Sequence, residues 1–210
     1  MEEVEVEIIL PSMPEVADVV EGLAKHLGLG LQTLGMTSTY DRLVDTEDFA
    51  LLSQDHSLRV RQKLDNVYQG EEFRLTYKVP LRSHDRLLIR EESKLKLVEP
   101  EFEPVLGVLS NVAHGVSGQH LGTVLEIREL AREANLGPAG AQVNISVDQC
   151  DYYAPGHDDP GAREVVFEIE SHGVDDDVIL EAADWVIKEL KGREAAEAKY
   201  ARGLRMLGKL

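Results

Sequence analysis

Several segments of this chain alternate charged with apolar residues, and the charges are of the two kinds that bind divalent metals and phosphates. The acidic positions are Glu3, Glu5, Glu7, Glu168 and Glu170, and the basic positions are Arg59, Arg61, Arg74 and Lys78. Carboxylate oxygens suit Mg2+ and Mn2+. Guanidinium and ammonium groups pair with phosphate oxygens. If these segments share one surface, they predict a site for a polyanion held through metal ions.

A strand has a side-chain period of two, so each alternating segment predicts a strand with one ionic face and one apolar face. An ordinary half-exposed strand buries its apolar face and leaves its charges in water. Here several amphipathic helices are available to cover the apolar faces, and the ionic faces carry complementary charges. We therefore expect a barrel wrapped in helices with its charged face inward. Its lumen must hold water or ions, because unpaired charges are costly in a dry interior.

The order of the predicted elements indicates an α+β fold with an eight-stranded antiparallel β-barrel and flanking helices. Eight strands close into a small barrel, and helices between groups of strands favour an antiparallel arrangement. Strands are predicted at 2–10, 31–45, 57–64, 71–79, 85–96, 121–132, 141–152 and 163–171. Helices are predicted from Pro14 to Gly28, near 49–52, over 101–114, from the cap at 175–177 to 190, and over 195–207.

The composition restricts the function classes. The chain has 210 residues and a formal net charge of -17, which argues against nonspecific binding to nucleic acid or anionic membranes. No apolar run is long enough to span a bilayer, and the acidic start at Glu2 and Glu3 does not resemble a secretory signal. The single cysteine, Cys150, excludes an intrachain disulfide and is typical of a cytoplasmic protein.

The ordered set of motifs resembles the CYTH superfamily, the triphosphate tunnel metalloenzymes. The Glu-x-Glu-x-Lys opening of that family corresponds to 5–9, where Ile9 stands in place of the lysine. The other matching positions are Asp45-Thr46, Leu58 to Arg61, Leu75 to Lys78, Arg90 to Glu92, Arg128, Asp148, Glu168 to Glu170, and Ala198 to Tyr200. Each motif is weak alone, but together they keep the family's order over nearly the whole chain.

The resemblance implies one domain over 1–210 that binds a triphosphate in an eight-stranded tunnel with Mg2+ or Mn2+. The implied metal ligands are Glu5, Glu7, Asp148, Glu168 and Glu170. The implied substrate-binding residues are Arg59, Arg61, Arg74, Lys78, Arg90, Arg128 and Lys199. The implied catalytic residues are Glu5, Glu7, Lys78 and Arg59. The expected partner is a small-molecule triphosphate, with no nucleic acid or membrane, and a homodimer is left open.

The predicted activity is hydrolysis of inorganic triphosphate or of a nucleoside or thiamine triphosphate. Two alternatives remain open from the sequence. A class IV adenylyl cyclase would use the same tunnel to convert ATP to cyclic AMP. A non-catalytic binder of polyphosphate or nucleotide would have lost turnover with the lysine at position 9, and Ile9→Lys would then raise activity.

Overall fold

The computed structural model describes residues 2–64, 72–84, 86–97 and 120–210, and a closed antiparallel barrel is its main feature. The strands are β1 Glu2–Leu10, β2 Leu31–Asp45, β3 Ser57–Lys63, β4 Glu72–His84, β5 Leu87–Leu97, β6 Gly122–Leu136, β7 Gln142–Tyr153, β8 Ala162–His172 and β9 Arg193–Glu194. The helices are α1 Val16–Leu27, a 3-10 turn at Leu52–Gln54, α2 Asp176–Leu190 and α3 Lys199–Met206. The predicted helix over 101–114 lies outside the described residues.

Eight of these strands form the barrel in the order β5-β4-β3-β2-β6-β7-β8-β1, and β1 pairs with β5 to close it. Strand β5 pairs with the first residues of β1, and the short β9 pairs further along β1 with Ile8 and Ile9. The predicted α+β barrel is therefore confirmed for the described residues. Among their helices, none has the length and apolar character needed to cross a bilayer.

The outward apolar faces of β1, β7 and β8 are covered by α1 and α2, whereas those of β3 and β4 pack in a separate cluster with Leu51 and Leu97. On β1, Val6 and Ile8 are buried in a core shared with Leu23 of α1 and with Ile179 and Val186 of α2. Helix α1 ends at Gly28, whose φ of 66° is readily adopted by glycine. The helices thus fix the inward direction of the charged face.

The predicted start of the final helix is wrong. The helix is predicted over 195–207 but begins at Lys199, because Ala195 still donates its N–H to the carbonyl of Glu7, next to the β9–β1 pairing, and Ala198 is extended. Asp175 occupies the predicted N-cap position of α2, although its side chain makes no capping hydrogen bond. The strand predictions differ from the structure by a few residues at their ends.

Helix α3 packs against side chains from the interior of the barrel. Its residues Tyr200 and Leu204 join an apolar cluster with Leu125, Tyr152 and Val166. A Cβ at Gly203 would lie 2.5 Å from Tyr152 Cδ1, so glycine is needed for this close approach. The packing brings Lys199, at the start of the helix, to the charged lumen.

Candidate active site

The barrel encloses a cavity of about 430 Å³ that is lined by the predicted charged faces. Six basic and eleven acidic side chains line it. The basic ones are Arg59, Arg61, Lys78, Arg90, Lys94 and Lys199. The acidic ones are Glu3, Glu5, Glu7, Asp41, Asp55, Glu92, Glu129, Glu133, Asp148, Glu168 and Glu170. The lining thus has a formal excess of acid, and a bound polyanion would need accompanying cations to offset it.

The two arginines of β3 converge on one carboxylate. Arg61 donates to both oxygens of Asp41, each at 2.7 Å, and Arg59 donates to Asp41 at 3.2 Å. Arg61 also donates to Glu129 at 3.1 Å. Asp41 is almost fully buried, whereas each arginine side chain keeps 23% of its surface exposed. Both guanidinium groups are therefore held in fixed directions and still face the cavity.

Lys78 of β4 and Arg90 of β5 hold the carboxylates of β1. The ammonium of Lys78 lies 2.6 Å from Glu3 and 3.5 Å from Glu5, and Arg90 donates to Glu5 at 2.9 Å. Burial raises the pKa of Glu5, but Lys78 and Arg90 outweigh it and leave that pKa lowered. For Glu3, the attraction of Lys78 does not offset burial and repulsion from Glu5, so the pKa of Glu3 is raised to about 7. Two successive inward carboxylates of β1 thus differ in their proton affinity.

Lys199 contacts carboxylates on three neighbouring strands. Its ammonium lies 2.8 Å from Glu129, 3.1 Å from Asp148 and 2.6 Å from Glu168. Lys199 and Arg61 lower the pKa of Glu129 despite its burial. Burial raises the pKa of Asp148 well above its usual range despite the contact with Lys199. Three acids therefore share one cation at the end of the cavity that α3 covers.

Strand register also places acids directly opposite each other. Glu5 is paired with Glu170, and Glu7 with Glu168, across the β1–β8 ladder. Like charges in such positions repel each other. The pKa of Glu170 is raised, mainly by burial and also by repulsion from Glu5. The side chains of Glu168 and Glu170 remain 29% and 34% exposed. This acidic pair of strands is the part of the lining that most needs a positive ligand.

The sequence prediction missed Arg202. This arginine donates to Glu7 at 2.6 Å and to Glu164 at 2.9 Å, and only 8% of its side chain is exposed. Its spacing of three residues from Lys199 puts both on one side of a helix, which was an available signal. Asp41 and Glu129 were also missed, although the two-residue alternation along β2 and β6 marks them as inward positions.

Two predicted substrate-binding residues are not brought to the cavity. Arg128 lies on the outer face of β6, where its guanidinium carbon is 4.7 Å from the ring centre of Tyr153. Its neighbour Glu129 takes the inward position, so the prediction for Arg128 is corrected. Arg74 lies on the same face of β4 as Lys78, but near the strand start. It pairs with Glu72 at 3.2 Å and is 40% exposed, outside the cavity lining.

The other predicted residues surround one cavity. The side chains of Glu5, Glu7, Arg59, Arg61, Lys78, Arg90, Asp148, Glu168, Glu170 and Lys199 all line it. Six of the barrel strands and the last helix supply them. Their convergence is a geometric fact of this fold, whereas their individual roles remain predictions.

The donor chemistry of the cavity fits a divalent metal of the kind that the resemblance implies. Hard carboxylate oxygens face each other on adjacent strands. Asp148 Oδ1 is buried and has no hydrogen-bond partner among the described residues. Within those residues, no three His, Cys, Asp or Glu side chains already form a metal-ligand group. Metal binding would therefore require side chains to turn away from their present ion-pair partners.

Comparisons with known proteins agree on the fold. The CYTH domain model matches residues 1–200. A candidate adenylyl cyclase from Hippeastrum, described as having a dominant triphosphatase activity, superposes with a TM-score of 0.62 at 16% identity, covering 99% of this chain and 97% of that one. No curated protein matches the sequence.

Two further solved structures share the architecture. A candidate adenylate cyclase from Bacillus halodurans has a TM-score of 0.57 at 18% identity, covering 96% of this chain and 97% of that one. A protein from Pyrococcus horikoshii has a TM-score of 0.54 at 18% identity, covering 96% and 98%. At these identities, the similarity establishes the fold alone.

Proposed function

This chain belongs to the CYTH family, and on that premise we propose that it is a metal-dependent hydrolase of a triphosphate compound. The observation that carries the proposal is the convergence of six basic side chains in one cavity that holds a larger number of acids. Basic groups alone would suit a free anion. The acidic excess favours an anion that enters with divalent cations, as triphosphates do.

The basic residues have separate parts in the proposed binding. Arg59 and Arg61 stand together on β3, fixed by Asp41, and suit phosphoryl oxygens through paired N–H groups. Lys78 and Arg90 lie near the carboxylates of β1 and would contact the phosphate closest to them. Lys199 would turn from its three carboxylates toward a phosphate oxygen, because its flexible stem allows that movement.

Glu5, Asp148, Glu168 and Glu170 would hold the metal. A bound Mg2+ or Mn2+ would neutralise phosphate charge and make water more acidic. In the hydrolysis, the oxygen of a water molecule bonds to the terminal phosphorus while the bridging P–O bond breaks. The electron pair leaves on the remaining diphosphate, and a proton is released to solvent. Arg59 and Lys78 would stabilise the charge on the phosphoryl oxygens during this step.

A product assay tests the proposal. Inorganic triphosphate, ATP and thiamine triphosphate are each incubated with the protein and Mg2+ or Mn2+, and orthophosphate is measured. We expect orthophosphate release that a chelator abolishes and that Lys78→Met reduces at least about tenfold. Arg82→Met is the matched control, because Arg82 is 67% exposed and pairs with Glu2 outside the cavity lining.

Other products would contradict hydrolysis. Cyclic AMP and pyrophosphate from ATP would identify a cyclase. Saturable binding of a triphosphate with no product under either metal would identify a non-catalytic binder.

A further inference from the structure

Arg202 is held on several sides and cannot move without breaking a buried network. Its Nη1 donates to Glu7 Oε2 at 2.6 Å, and its Nε and Nη2 donate to Glu164 Oε1 at 3.1 and 2.9 Å. Nη1 also donates to the backbone carbonyl of Glu197. Tyr152 donates its hydroxyl hydrogen to the same oxygen of Glu164. Gly203 allows α3 to approach closely enough for this arrangement.

Glu7 needs a cation that its own strand does not provide. The inward positions of β1 are Glu3, Glu5, Glu7 and Ile9, so this face carries three acids and no base. Glu7 is buried and stands opposite another carboxylate, Glu168. Ile9 stands opposite Val166, which belongs to the apolar cluster around α3. The positive charge therefore reaches Glu7 from α3, through Arg202.

We infer that Arg202 is a positioning residue that keeps Glu7 as a permanent ion-pair partner. In this arrangement Glu7 anchors α3 to β1 and is not a metal ligand. The metal then falls to Glu5, Asp148, Glu168 and Glu170. The statement about the metal rests on the proposed function, whereas the statement about the ion pair does not.

The contrast between Glu7 and Glu170 supports this division. Glu7 is 5% exposed and is held by a guanidinium that also binds Glu164. Glu170 is 34% exposed and lies 3.2 Å from Nε2 of His172, whose side chain is itself 44% exposed. A divalent ion could replace an exposed partner of this kind at small cost. A divalent ion on Glu7 would have to displace Nη1 of Arg202, and the buried guanidinium, still held on Glu164 through Nε and Nη2, would lose one of its two carboxylates and stand beside a second cation.

Binding of Mn2+ alone, followed by electron paramagnetic resonance, tests the division. Glu7→Gln and Glu170→Gln are matched variants at inward positions of adjacent strands. We expect Glu170→Gln to weaken Mn2+ binding at least about tenfold, because it removes a metal ligand. Glu7→Gln should change Mn2+ binding less than about twofold, because it removes none. Equal weakening by both variants would overturn the inference.

Thermal unfolding of metal-free protein tests the ion pair itself. We expect Arg202→Met to lower the Tm by about 5–10 °C, as loss of a buried partner implies. Adding Glu7→Gln to Arg202→Met should restore part of that loss, because the unpaired charge is removed. A second double-mutant cycle combines Glu7→Gln with Arg202→Lys, a milder variant that keeps the charge. If the losses in Tm from the two single variants simply add in both cycles, the inference is overturned. If wild-type protein binds no Mn2+, the proposed metal-dependent function is contradicted. The unfolding measurements still decide the role of Arg202.

Discussion

Tyr200 of α3 donates a hydrogen bond of 2.9 Å from its hydroxyl to Oδ2 of Asp45, at the end of β2. Asp45 is fully buried, and its carboxylate also accepts hydrogen bonds from the backbone N–H groups of Thr46, Leu51 and Leu52. One carboxylate thus fixes both the turn after β2 and the helix that presents Lys199. The Asp45-Thr46 and Lys199-Tyr200 motifs meet as a structural joint beside the cavity.

Tyr200→Phe should destabilise the protein by about 1.5–3 kcal/mol, since it removes a hydrogen bond to a buried carboxylate. Asp45→Asn should cost more, because it weakens three backbone contacts as well. Urea unfolding of both variants checks this ranking. A Tyr200→Phe variant as stable as wild type would contradict the proposed joint.

Lys199→Met should destabilise the metal-free protein by about 3–5 kcal/mol, because three buried or half-buried carboxylates lose their shared cation. Added Mn2+ should recover more stability in this variant than in wild type. Thermal unfolding with and without Mn2+ measures the difference. Lys188→Met is the control, since the Lys188 side chain is 82% exposed. An equal Mn2+ effect on all three proteins would count against competition between Lys199 and the metal.

Arg128→Ala should change the KM for inorganic triphosphate less than about twofold, because Arg128 lies outside the cavity. Arg59→Ala should raise it about tenfold or more, as expected for loss of a charge-assisted hydrogen bond. Steady-state kinetics of the two variants checks the corrected assignment. An increase with Arg128→Ala that matches Arg59→Ala would restore the original prediction.

Glu3→Gln should change how stability depends on pH. Burial and Glu5 raise the pKa of Glu3 from 4.5 to about 7 in the folded protein, so the folded state binds this proton more tightly than the unfolded state. The stability gained from that proton is fully present below pH 4.5 and is lost as pH rises through about 7. The loss is on the order of 3 kcal/mol.

Relative to wild type, Glu3→Gln should therefore be more stable at pH 8 than at pH 5. Urea unfolding in metal-free buffer at the two pH values measures this. Glu2→Gln is the control, because the Glu2 side chain is 51% exposed. The same stability difference at both pH values would show that Glu3 does not titrate in this range.

Ile9→Lys should change kcat less than about threefold, because Arg202 already supplies the positive charge beside Glu7. This prediction opposes the alternative in which the missing lysine abolishes turnover. Product formation from inorganic triphosphate compares the two proteins. A rise of tenfold or more would favour that alternative and weaken the case for Arg202.

The barrel and much of its charged lining could be predicted from local patterns. Alternation along β1, β3 and β8 is a property of backbone geometry, so inward and outward positions follow from the sequence once the charged face is known to point inward. Motif matching placed Arg128 on the wrong face of β6, because it does not set register. A shift of one residue along β6 exchanges Arg128 for Glu129 and reverses the sign of the inward charge.

By itself, the sequence determined the strand pattern, most of the inward acids and bases, and the resemblance to the family. Only the tertiary structure decided which cation serves which carboxylate. Arg202 meets Glu7 across a separation of 195 residues, and Lys199 joins three strands. Such pairings depend on where α3 crosses the barrel. That crossing is set by apolar packing around Gly203 and Leu204, and no local charge pattern encodes it.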